Sequence, residues 1–130
     1  MILICALLSA AIHLGVAVFQ IFLATGKPWG EYAFGGQNKG VLPRHLRTAS
    51  IFSCVLVTFF AAVNLAQAGL IQITGFESLF RIAGWVIAGY AVLGTFMNAI
   101  SRSKPERLLW TPIVALLAVL NITILVLTAK

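Results

Sequence analysis

Four stretches free of Asp, Glu, Lys and Arg divide the chain: residues 1–26, 48–76, 82–101 and 108–129, with lengths of 26, 29, 20 and 22. A hydrocarbon core about 30 Å thick is crossed by roughly 20 apolar residues in a helix. Each stretch can therefore cross a bilayer once, and none is long enough to cross it twice. Lipid offers the backbone no hydrogen-bond partner, so an isolated strand would leave its N–H and C=O groups unpaired, whereas a helix satisfies them internally. The expected fold class is all-α, a polytopic membrane protein with four transmembrane helices in an antiparallel bundle. Residues 1–130 are expected to form one domain, with helices at about 2–25, 43–69, 75–100 and 104–129.

Composition argues against a soluble alternative. Charged residues make up 9% of the chain, against about 25% in a soluble domain. The net charge of +6 raises nucleic acid as a partner, but the placement of the cations argues against it. Lys27, Lys39, Arg44 and Arg47 fall in the first connection, and Arg102, Lys104 and Arg107 in the third. The second connection holds Arg81 beside Glu77, and Lys130 ends the chain. In a four-helix topology the first and third connections share one side of the membrane. Short basic loops stay cytoplasmic, so both termini are expected outside the cytoplasm. Cys5 and Cys54 fall about 15–20 Å apart in depth at about 1.5 Å per residue, too far for a disulfide. They are read as buried thiols, and no metal is expected.

The first connection, residues 26–47, is the most unusual segment. It carries five of the eleven glycines together with Trp29, Tyr32 and Phe34. These aromatic rings suit the headgroup layer, and the glycines permit tight turns or backbone nests able to hold an anion. The plainer reading, turns alone, is preferred because no spaced phosphate motif is present. Trp29, Lys39, Arg44, Arg47, Arg102, Lys104 and Arg107 are the candidates for contact with lipid or another anion. Pro43 is expected in the first turn of helix two. Thr74 with Glu77, and Ser103 with Glu106, have the spacing of capping boxes opening helices three and four.

Within the apolar runs the polar residues fall on single faces. Ser9, His13 and Gln20 make one stripe, Ser50, Ser53 and Asn64 a second, Thr95 and Asn98 a third, and Thr111 and Asn121 a fourth. Helix three pairs its small face with bulky Trp85, Ile87, Leu93 and Phe96. Such stripes face protein or water rather than lipid. Counted by depth, they form two polar layers joined near His13 and Thr58. His13, Gln20, Asn64, Asn98 and Asn121 are the intramembrane candidates. Interhelical hydrogen bonding that sets helix register is the preferred role, and a solute path is the alternative. Glu31, Glu77 and Glu106 all lie at run boundaries, which leaves no mid-membrane carboxylate for a proton relay.

The segments Pro28-Trp29-Gly30, Gly35-Gly36, Leu42-Pro43 with Leu46-Arg47, and Ser101-Arg102-Ser103 with Pro105-Glu106-Arg107 and Trp110 resemble those of a family of small, uncharacterised four-helix bacterial inner-membrane proteins. The resemblance covers nearly the whole chain. It implies the four-helix fold and an inner-membrane location, and it carries over no activity, cofactor or catalytic residue.

No metalloprotease, nucleotide-loop or nucleophile-elbow motif occurs, so an enzyme is not expected. The expected role is that of a non-enzymatic membrane protein with a basic cytoplasmic face that binds anionic lipid or a partner. A small transporter or channel is the alternative. Membrane lipids are the expected partners, without nucleic acid or cofactor. A homo-oligomer stays within expectation, since a pore can form between chains.

Overall fold

The computed structural model describes residues 1–72 and 74–129; Lys130, the last cation of the sequence, lies outside them. Among the described residues four helices make the architecture: α1 (Ile2–Ala24), α2 (Arg44–Gln67), α3 (Glu77–Ala99) and α4 (Lys104–Thr128). Two single-turn 3₁₀ segments, Gly30–Tyr32 and Phe34–Gly36, lie between α1 and α2. All four helices are long and apolar enough to cross a membrane. They form an all-α antiparallel bundle, and the protein is a multi-pass membrane protein.

The exterior is that of a protein solvated by lipid. Phe52 is 72% exposed, and Val86, Leu93, Phe96 and Val119 are each more than 60% exposed. Water would penalise this much open apolar surface, whereas acyl chains do not. The buried faces carry small residues, among them Ala6, Ala10 and Ala17 on α1, Ala61 on α2, and Gly84, Ala88 and Ala91 on α3. Ile87 departs from the sequence expectation. It is buried rather than on the outer face, because it fills the junction with Phe60 and Val63 of α2.

Round the bundle the helices run α2, α1, α4, α3. The most extensive packing is α1 on α2, α3 on α4 and α1 on α4. α2 and α3 meet over a shorter stretch, where Phe60 and Val63 pack against Ile87, Phe80 and Ala83. Nearer the loop between α1 and α2, Val57 of α2 and Tyr90 and Asn98 of α3 line a cavity instead.

The helix ends follow local chemistry, with some departures from expectation. α1 closes in a glycine cap. Gly26 takes φ +96°, and Lys27 N–H donates to Phe22 O at 2.9 Å, a bond that satisfies a carbonyl left open by the last turn. Gly69, at φ +77°, ends α2 in the same way. Pro43 is the N-cap of α2 rather than its first turn. Its ψ of 156° is extended, and its carbonyl accepts from Leu46 and Arg47. α3 is capped at Phe76 without a side-chain bond, so Thr74 forms no box. The Glu77 carboxylate instead accepts from Gly75 N–H at 3.1 Å. α4 runs unbroken through Pro112.

Candidate functional site

The loop between α1 and α2 folds back and docks on the start of α4. Trp110 Nε1 donates to Tyr32 O at 2.7 Å, and Ser103 Oγ donates to Glu31 O. Phe19 of α1 meets Trp110 edge-on at 4.8 Å and stacks on Trp29 at 6.0 Å. Leu23, Ala33 and Leu42 close a small apolar core beneath the loop, with Phe19 and Leu46 against it. The first and third connections thus share one end of the bundle, here called the loop end.

Glu106 ties this end together. It is 7% exposed, and its carboxylate accepts from Gly35 N–H at 3.1 Å and from Ser101 Oγ. The second half of its predicted capping box is therefore absent. Ser103 Oγ does accept from Glu106 N–H at 3.3 Å, but the carboxylate reaches across the fold instead of back to Ser103. The backbone nest suggested by the glycines is thus occupied in part by the chain's own carboxylate. Phe34 beside it takes φ +52°, a left-handed conformation that is rare for a bulky residue.

The candidate anion contacts divide into two groups. Lys39, Arg44, Arg102 and Lys104 are exposed at the loop end, as is Trp29. Arg47 and Arg107 are half-buried and engaged with the backbone. Arg47 Nε donates to Ala24 O at 2.9 Å, and Arg107 Nη1 donates to Ser101 O at 2.8 Å. Arg47 thereby supplies a cation to the carbonyl end of α1, where a positive charge is favoured.

The intramembrane candidates divide as well. Ser9, buried on α1, is a hub: Asn64 Nδ2 donates to its Oγ at 2.9 Å, and that Oγ donates to Asn121 Oδ1 at 3.0 Å. Helices α1, α2 and α4 are tied together there. His13 joins through its own helix, with Nδ1 2.8 Å from Ser9 O and its ring edge-on to Phe60. A carbonyl only accepts, so Nδ1 carries hydrogen, and in the neutral ring Nε2 is an acceptor. Thr58, placed in the interior layer by the sequence, is exposed and bonds to Cys54 O of its own helix. Cys5 and Cys54 are free thiols, half-buried rather than buried as the sequence suggests.

Because Ser9 bridges two amides on other helices while His13 reaches only Ser9 of its own helix, through its carbonyl at 2.8 Å and its hydroxyl at 3.4 Å, the Ser9→Ala and His13→Leu variants should differ. Ser9→Ala should cost about 1 kcal/mol, the scale of an interhelical hydrogen bond in lipid, and His13→Leu should cost less. Thermal unfolding of both variants in one detergent tests the order.

Gln20 and Asn98 lie apart from this hub. They line a cavity of about 210 Å³ that reaches from Tyr32, Phe34 and Glu106 at the loop end to His13. None of Ser9, Asn64 and Asn121 lines it. Leu56 of α2 and Tyr90 of α3 form its lips; they line the cavity yet are 40% and 54% exposed. The cavity is therefore a cleft that opens sideways between α2 and α3, on the loop side of the Phe60–Tyr90 contact. Those two rings meet edge-on at 5.4 Å. Asn98 Nδ2 donates to Gly94 O at 2.8 Å within α3, while Gln20 Oε1 is buried and has no hydrogen-bond partner among the described residues.

Sequence reasoning did not single out Glu106 or Tyr90 as site residues. Glu106 carried a usable signal, since it is one of three acids in the chain and lies among Arg102, Lys104 and Arg107. Tyr90 carried none, because only the packing of α2 and α3 places it at an opening. Among the described residues no cluster of potential metal ligands occurs. No protein-family model matches this chain, and no curated protein or solved structure matches it.

Proposed function

We propose that this is a non-enzymatic protein of the bacterial inner membrane whose loop end faces the cytoplasm and binds anionic lipid headgroups. One observation carries this reading: Glu106 is turned inward, while Lys39, Arg44, Arg102 and Lys104 stay exposed around the same end, beside an exposed Trp29. The fold thus withdraws a carboxylate from the face that presents its cations. A cation near an anionic bilayer surface contributes about 1 kcal/mol, and an aromatic ring at headgroup depth adds an anchor. The transporter reading has less support. The cleft stops at His13, and beyond it Ala6, Val63, Leu120 and Ile124 are packed.

Replacing Lys39, Arg44, Arg102 and Lys104 together with Gln should abolish most of the preference for anionic over zwitterionic lipid. In the parent protein that preference should weaken as salt shortens the screening length. Co-purified lipid and binding to vesicles of mixed phosphatidylglycerol and phosphatidylcholine are the readouts. Unchanged retention of anionic lipid at low and high salt would leave these cations as topology signals only.

Orientation is tested separately. In a Cys5→Ser, Cys54→Ser background, a cysteine at exposed Gln37 should react only with reagent that has access to the cytoplasmic side. A reporter at the C-terminus should be active outside. The opposite pattern would invert the assignment.

A further inference from the structure

The lateral cleft differs from the basic rim in both chemistry and access. Its walls are mainly aliphatic and aromatic, its mouth faces acyl chains, and the Gln20 amide within it is left without a partner among the described residues. Gln20 Oε1 is a buried acceptor without a partner among the described residues. Asn98 commits its Nδ2 to Gly94 O, which leaves its Oδ1 as an acceptor. His13 holds hydrogen on Nδ1 against Ser9 O, so neutral Nε2 accepts. Glu106 lines the cleft at the loop end. The hydroxyls of Ser53, Tyr32 and Tyr90 can donate or accept. Gln20 Nε2 also has no partner among the described residues, so this amide offers a donor beside its acceptor, and a molecule that complements the cleft both donates and accepts, as a hydroxyl does. An anionic head is disfavoured by Glu106 and by the acceptors, and an ammonium cannot accept from Gln20 Nε2.

Size sets a second constraint. An apolar cavity of about 150 Å³ admits benzene, and this cleft has about 210 Å³. It holds a small head and the first carbons of a chain but not a whole lipid, so the rest of the chain must leave through the mouth. We propose that the cleft between the loop-end halves of α2 and α3 binds one hydroxyl-headed, uncharged lipid, with its head on Gln20 and its chain passing out between Leu56 and Tyr90.

Trp110 lines the cleft and provides a reporter once Trp29 and Trp85 are replaced by Phe. In phosphatidylcholine nanodiscs, bromine-labelled dodecanol should quench Trp110 saturably. Its midpoint should be at least about tenfold lower than those of the matching carboxylate and amine, since each of these must bring a charge into the cleft. Gln20→Leu should raise the alcohol midpoint about 3- to 10-fold, the range expected for one hydrogen bond. Its thermal midpoint should not fall, because the unpartnered amide oxygen supports nothing in the fold. Ser53→Leu should fill the cleft and remove the saturable component. Equal, unsaturable quenching by all three probes would overturn the proposal, as would tighter binding of the amine or carboxylate. An unchanged midpoint in Gln20→Leu, or a loss of stability in that variant, would also overturn it.

Discussion

Gly30→Ala should cost about 3 kcal/mol, at the upper end of the range for overpacking. A Cβ at Gly30 would lie 1.9 Å from Asn38 O and 2.8 Å from Gly40 O. Both obstacles are backbone, so no rotamer change can relieve the clash. Residues 38–40 would have to move, breaking the 2.8 Å bond from Gly30 N–H to Gly40 O. The loop would then lift from α4 and take Tyr32, Ala33 and Phe34, part of the cleft wall, with it. Gly36→Ala should act similarly, since its Cβ would fall 2.3 Å from Ser103 Cβ at a φ of +66°. Gly15→Ala is the control. It has nothing within 4 Å and sits inside α1, where replacing Gly with Ala stabilises a helix by roughly 0.5–1 kcal/mol. Thermal unfolding in a single detergent should rank Gly15→Ala at or above the parent and the two loop variants well below it. Equal stability of Gly30→Ala and the parent would mean that the loop does not dock as described.

Glu106→Ala should be the second large loss, about 1–3 kcal/mol, the cost of leaving buried donors unpaired. Gly35 N–H and the Ser101 hydroxyl would both lose their acceptor. Glu106→Gln separates hydrogen bonding from charge. Its Oε1 can still accept from Gly35, and the Ser101 hydroxyl can turn to accept from the new amide, so its loss should be much smaller. Hydrogen exchange at the Gly35 amide, read beside thermal stability, distinguishes the two variants: exchange should accelerate in Glu106→Ala and change little in Glu106→Gln. Equal losses in both variants would show that the negative charge, rather than the acceptor pattern, holds the loop.

Both losses fall on a part of the molecule that was only partly legible beforehand. Tight turning at Gly35 and Gly36 was legible, since both take positive φ. That the Glu106 carboxylate would take up the Gly35 amide was not, because the two residues are 71 positions apart and Glu106 also fitted a local capping pattern. Arg47 and Arg107 read as free cations alongside Arg44 and Arg102. Only the approach of the Ala24 and Ser101 carbonyls sets them apart. Thr58 was misplaced because its spacing adjoins the polar stripe of α2, while its side chain satisfies itself on Cys54 O and can face lipid.

The sequence by itself determined the solvent, the number of helices and their approximate ends. Charge-free runs of 20 to 29 residues leave the backbone one low-cost form in lipid, and glycines, prolines and charges mark where that form stops. These are local properties, readable within a window of one helix. The tertiary structure alone decided that a cleft opens between α2 and α3 nearer the loop end, that Ser9 rather than His13 is the hub between helices, and that Gln20 faces that cleft without a partner. Lipid-facing apolar residues have no strong preference among neighbouring apolar surfaces. The order and packing of the helices are therefore set by small-residue contacts and by a few hydrogen bonds between distant positions. Ser9 and Asn121, 112 residues apart, show no periodicity that would pair them, and only the packed bundle brings them to 3.0 Å.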